Sequence, residues 1–166
     1  LTSYVHYGAP GTFEASHISS GEFAFNDGTN AAGGYKPYTS LDICAHEYTH
    51  GVTEFSAELH YGSESGALNE SFSDIFSACV EFYKKPGTAN YLLGDEVGVT
   101  PGTYFRNMGN PNLKSHPDTY GGTFWSTSPA DFGGVHINTG VQNFWFYLLC
   151  NGGAGTNDLG NNYNVA

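Results

Sequence analysis

His46-Glu47-Tyr48-Thr49-His50 places two imidazoles four residues apart with a carboxylate directly after the first. On a helix, side chains at i and i+4 share one face, about 5–6 Å apart at Cβ, so both rings can ligate a single Zn²⁺. Glu47 is displaced around that helix, near such a metal without binding it. That is where a general base for a zinc-bound water belongs. Twenty residues beyond His50 stands Glu70, followed by Asp74 at another i, i+4 step. Two carboxylates on one face of an otherwise apolar helix are costly to bury without partners. A third zinc ligand at Glu70 and a hydrogen-bond acceptor for a ligand histidine at Asp74 would satisfy both. A solvated acidic stripe is the plainer reading of the same pair.

These residues need two helices to hold them. Ser40 or Thr39 can cap a helix that has Asp42 in its first turn, and no proline interrupts the run to about Ser56. A second helix is predicted over about 65–85, because Leu68, Phe72, Ile75, Phe76, Cys79 and Tyr83 recur at three- and four-residue steps. Lys84 and Lys85 suit its C-terminal end, and Pro86-Gly87 stops it. A third is predicted from about His136 to Cys150, closed by Gly152-Gly153. Before residue 40 the chain reads as short strands, Tyr4–Tyr7 and Glu22–Phe25, punctuated by Gly, Asn, Asp and Pro. Residues 86–133 read as loop, a length that usually has a function or binds an ion. The tail from Ala154 is polar and rich in Gly and Asn.

Composition narrows the partners. Five Lys and Arg against sixteen Asp and Glu give a formal charge of −11. Such a balance argues against nucleic acid and anionic membrane surfaces, and suits an extracellular protein with oxygen ligands for calcium. Solubility alone also accounts for it. No apolar run approaches the ~20 residues needed to span a bilayer. Leu1-Thr2-Ser3-Tyr4 has neither the basic start nor the apolar stretch of a signal peptide, as expected of a processed product or of an excised fragment. Cys44, Cys79 and Cys150 are odd in number and match no metal spacing, so they read as small buried hydrophobes, with a Cys44–Cys79 bridge left open.

The stretch HEYTHGVTEFSAELHYGSESGALNESFSDIF resembles the zinc-binding segment of the thermolysin-like metalloproteases, the gluzincins with HExxH and a later Glu. Metzincins are set aside, since Thr53 and Ser56 stand where their Gly and third His would be. The resemblance extends through Val5-His6-Tyr7-Gly8, Glu81-Phe82-Tyr83, Phe105-Arg106-Asn107-Met108 and Gly134-Val135-His136-Ile137-Asn138, most of the chain. It implies an α+β fold with a β-rich N-terminal lobe (1–60, ending in the active-site helix) and a helical C-terminal lobe (61–166). The zinc site would lie between the lobes, and both ends would be truncated.

The resemblance further implies zinc on His46, His50 and Glu70, with Glu47 activating water and Asp74 orienting His46. Tyr61 and His136 would steady the oxyanion, Asp131 would orient His136, and Arg106 would grip a substrate carbonyl. Ile43, Leu93, Val97 and Phe105 would line a pocket for large apolar side chains, and Ala24 would lie on a strand edge that pairs with substrate. Calcium would fall to Asp42, Glu81, Asn90, the Leu92 carbonyl and Asp95. This is one weaker ion rather than two, because carboxylates are fewer. His6, His17, His60 and His116 are read as structural.

The expected function is a secreted zinc endopeptidase acting on proteins and peptides, with a propeptide or missing segments as further partners. A non-catalytic zinc-binding relative and a zinc aminopeptidase are the alternatives. Intact Glu47, His136 and Tyr61 speak against the first, and the His-to-Glu spacing speaks against the second. A chain lacking terminal helices would expose apolar surface and have low stability alone.

Overall fold

Glu22–Phe25 (β3) is the middle strand of a three-stranded sheet, between Thr2–Val5 (β1, parallel) and Ala15–Ser19 (β2, antiparallel). This is a computed structural model, and it describes residues 1–12 and 14–166. β3 is paired along both edges, and its Phe23, Ala24 and Phe25 are buried. β2 bulges between His17 and Ser19 and packs against the first helix, α1 (Leu41–Glu54). Phe23 and Phe25 join Tyr38, Ile43, Leu93 and Val97 in one core cluster. Each such aromatic or branched side chain contributes about 1.5–3 kcal/mol when fully buried.

Ser40 is the N-cap of α1, as the sequence indicates, but its hydroxyl donates to Asp42 Oδ1 rather than accepting from the backbone. The second helix, α2, runs Ser63–Lys84, starting two residues before the expected boundary. The third, α3, spans Val135–Asn151, with Gly134 as N-cap at φ 90° and Gly152 closing it through a bond to the Leu148 carbonyl. Between α2 and α3 lie two-residue strands, β4 (Leu92–Leu93) and β5 (Arg106–Asn107), and two short 3₁₀ turns.

The tail expected to be merely polar is a hairpin, β6 (Gly153–Thr156) with β7 (Asn162–Val165). Its register comes from packing rather than propensity. Tyr163 sets its ring edge-on to Phe144 of α3, 5.6 Å between centroids.

The chain divides into two compact units, Leu1–Glu58 with Phe76–Phe105, and Leu59–Ile75 with Arg106–Ala166. Residues 76–105 therefore group with the first unit although they follow residue 60. No disulfide joins Cys44 to Cys79. Among the described residues, no helix is long and apolar enough to cross a membrane.

Candidate active site

In the first unit, α1 turns His46, Glu47 and His50 inward, all buried. The two Nε2 atoms face each other at 3.0 Å, with the rings at 85°. Two nitrogens each 2.0–2.1 Å from a tetrahedral zinc stand only slightly farther apart than this, so the pair fits that metal. Glu47 does not join them. Its Oε2 accepts the backbone N–H of His17 on β2 at 2.8 Å, which holds the carboxylate beside the imidazole pair.

In the second unit, Glu70 is 1% exposed on α2. Its Oε1 accepts a hydrogen bond from the Tyr61 hydroxyl and lies 3.4 Å from His136 Nε2. The Tyr61 hydroxyl is also 3.1 Å from His136 Nε2, so two donors converge on one place. Asp131 sets the imidazole: Oδ1 is 2.6 Å from Nδ1, and Oδ2 accepts the His136 backbone N–H. A carboxylate accepting from Nδ1–H fixes the ring orientation.

Arg106 forms a two-pronged bond to Asp74, Nε to Oδ2 at 2.7 Å and Nη2 to Oδ1 at 2.8 Å, and lies 3.7 Å from Glu70 Oε2. Asn143 donates to the same Asp74 Oδ2. Burial works against the charge of Arg106, but Asp74 and then Glu70 hold its pKa above the ordinary arginine value. The guanidinium keeps further N–H donors beyond the two given to Asp74.

His46 and His50 in the first unit and Glu70 in the second are all buried, and between them they offer two imidazoles and a carboxylate. Two imidazoles and a carboxylate suit zinc better than a hard cation, which prefers oxygen throughout. The residues present therefore fit the metal.

The family profile described as "Thermolysin metallopeptidase, catalytic domain" matches residues 1–54, and "Thermolysin metallopeptidase, alpha-helical domain" matches residues 57–165. The chain belongs to the thermolysin metallopeptidase family. It is 38% identical to a bacillolysin of Bacillus cereus over 92% of its own length and 26% of that relative's. It is 36% identical to a thermolysin of Alicyclobacillus acidocaldarius, again over 92% of this chain and 27% of the relative. Among solved structures, the precursor of protealysin, a metalloproteinase from Serratia proteamaculans, superposes with a TM-score of 0.74 at 31% identity. That match covers 89% of this chain and 49% of the other. The chain thus spans about a quarter of the length of the curated relatives it matches.

The thermolysin-family reading of Ala24 as a substrate-pairing edge is corrected by the sheet. Ala24 sits on the central strand, paired with Tyr4 on one side and Ser16 on the other, so its backbone has no free edge. The outer strand beside α1 is β2, and the residue that sequence reasoning missed is His17, through its N–H to Glu47. Nothing in a side-chain pattern marks a backbone donor; only the placement of β2 reveals it.

Ile43, Leu93 and Val97 come together in the core cluster, with Phe105 packed against it. Phe105 stacks on Tyr35 at 4.8 Å and lies so close to Gly94 that a Cβ there would meet its ring at 2.2 Å.

The residues expected to bind calcium are also neighbours. Gly94 N–H donates to Asp42 Oδ2, Asn90 Nδ2 donates to Asp95 Oδ2, and Leu92 N–H donates to Asn90 Oδ1. Burial, then the charges of Asp42, Asp95 and Glu96, push Glu81 up to about 7. Asp95 Oδ1 is buried and accepts no hydrogen bond. Two of the histidines read as structural have partners: His6 bonds Asp27 at 2.7 Å, and His17 Nε2 lies 3.1 Å from Glu54.

Proposed function

We propose that this chain carries the catalytic centre of a zinc endopeptidase that hydrolyses internal peptide bonds. The observation behind this reading is the buried His46–His50 pair, Nε2 atoms 3.0 Å apart, with Glu47 held beside it by the His17 N–H; the buried Glu70 of the second unit is the proposed third ligand. When bound there, zinc lowers the pKa of a coordinated water towards ~7 and polarises a carbonyl. Glu47 takes a proton from the attacking water and delivers it to the leaving amine. The Tyr61 hydroxyl and His136 Nε2 donate to the developing oxyanion, and Asp131 keeps the imidazole aligned for this. Arg106, fixed by Asp74, offers its remaining N–H donors to a substrate carbonyl.

Ile43, Leu93, Val97 and Phe105, an apolar cluster, favour cleavage before large apolar residues. One calcium ion suits Asp42, Glu81, Asn90, the Leu92 carbonyl and Asp95, because a cation would satisfy the orphaned Asp95 Oδ1 and relieve the crowding around Glu81. Secretion fits the formal charge of −11, and a propeptide fits a family with a precursor form of known structure.

The test is casein cleavage by the protein and by Glu47→Ala, with zinc measured in both. Equal zinc and a loss of at least about 10²-fold in rate supports the assignment. Cleavage surviving in the variant would falsify the assigned base. Zinc without cleavage in the native protein would favour the non-catalytic relative, and faster turnover of unblocked N-terminal substrates would point to an aminopeptidase.

A further inference from the structure

Ser71 and Asp74 stand at an i, i+3 step on α2, so their side chains share a face, and both are buried. Asn143 of α3 reaches both and is buried as well. The Ser71 hydroxyl donates to Asn143 Oδ1 at 2.7 Å, and Asn143 Nδ2 donates to Asp74 Oδ2 at 2.7 Å. Arg106 takes the same carboxylate with both prongs, Nε on Oδ2 and Nη2 on Oδ1. Ser71, Asn143, Asp74 and Arg106 thus form one run of hydrogen bonds, and all four belong to the second unit.

The donors set the direction of each group. An ionised carboxylate only accepts, so the Asn143 amide must turn its nitrogen to Asp74. Its oxygen then points elsewhere and, being buried, needs a donor, which the Ser71 hydroxyl provides. Asp74 Oδ2 receives two N–H groups, and the carboxylate cannot turn about its Cβ–Cγ bond without giving one up. A guanidinium gripping both oxygens lies close to the carboxylate plane, so the plane of Asp74 becomes the plane of Arg106. We propose that Ser71 and Asn143 are positioning residues for substrate: they lock Asp74 in one plane and thereby aim the free N–H donors of Arg106 at a peptide carbonyl. What Arg106 grips rests on the peptidase reading; how it is held rests on the hydrogen bonds alone. A cross-link that only joined α2 to α3 would add stability and leave Arg106 unmoved when cut.

Arg106 is the one arginine of the chain, so its Nε–H gives a single resonance in a heteronuclear NMR spectrum. Its solvent exchange is compared in the native protein, in Ser71→Ala and in the near-isosteric Asn143→Leu. The backbone amides of α2 serve as reference, because a general loss of stability speeds them equally. Relative to those amides, the Nε–H should exchange about fivefold faster in each variant, the equivalent of one ordinary hydrogen bond. On a blocked internal peptide, Ser71→Ala should raise KM about threefold or more and leave kcat within about twofold, as expected when binding common to ground and transition states is lost. A lower urea midpoint with unchanged relative exchange would make the pair a structural cross-link and overturn the proposal. Faster exchange with unchanged KM would overturn the aiming of Arg106 at substrate. A native protein that binds zinc yet cleaves nothing would sink the peptidase reading instead, and the exchange rates would still decide whether Ser71 and Asn143 hold Arg106.

Discussion

Arg106 and Asp74 are both buried, and their two-pronged bond neutralises what would otherwise be an isolated charge beside Glu70. Removing one member of such a pair strands the other in a poorly solvated place. Arg106→Leu should therefore lower unfolding free energy by about 3–5 kcal/mol in a urea titration. Arg106→Lys, which keeps charge but loses the planar fork, should cost less, about 1–2 kcal/mol. Equal losses in the two variants would mean that the fork geometry is irrelevant.

His116 supplies the pH counterpart. Burial, then the nearby charge of Arg106, push its pKa down to about 4. The unfolded chain binds this proton near 6.5 while the folded chain resists it, so stability is lost as pH falls from about 6.5 towards 4. The loss from this residue is at most about 3 kcal/mol. Urea midpoints of the protein and of His116→Gln should diverge at neutral pH and draw together near pH 4; a constant gap would refute the linkage.

At this scale the sequence was informative where side chains do the work. His46, Glu47 and His50 stand at a helical spacing that only a few chemistries use, and Glu70 with Asp74 repeats the i, i+4 step on the next helix. It was silent on His17, whose part is a backbone N–H that any residue except proline could supply.

Elements position these groups, and the helix that presents His136 depends on one backbone conformation. Gly134 caps α3 at φ 90°, where a Cβ would meet the Ser126 carbonyl at 2.3 Å and Asn138 Nδ2 at 2.6 Å. Strain and overlap act together, so Gly134→Ala should destabilise the protein by at least about 2 kcal/mol in the same titration. A change below about 0.5 kcal/mol would show that the turn rearranges freely. The three helices were legible because their apolar positions keep a helical period and their ends carry Ser40, Pro86-Gly87 and Gly152. β2 was not, since Ala15-Ser16-His17-Ile18-Ser19 lacks clean alternation and is a strand through pairing with β3 and packing on α1. The β6–β7 hairpin was hidden for a related reason: its glycines favour no strand, and Tyr163 against Phe144 sets it. Ala24, carried over from the family resemblance as a pairing edge, lies on the central strand because β2 covers β3 on that side.

For the molecule as a whole, apolar surface and net charge oppose each other. Phe76 and Tyr83 on α2 are 52% and 78% exposed, and Trp145 and Leu149 on α3 are 56% and 58% exposed. Scattered exposed apolar residues are ordinary, but large ones recurring along a helix make a surface that association would cover. The formal charge of −11 resists close approach of two copies, and salt screens that repulsion. The chain of 166 residues alone should therefore either melt below about 60 °C as a monomer or self-associate, and added salt should increase the association. Trp145→Glu with Leu149→Lys should move sizing profiles towards the monomer without lowering the melting midpoint, because those side chains bury little within their own unit. Zinc should raise the midpoint and a chelator reverse the rise, since binding at a thousand times the dissociation constant adds about 4 kcal/mol. A monomer that melts well above 60 °C at high salt, with the chelator present, would show that neither the exposed aromatic residues nor the metal limits stability.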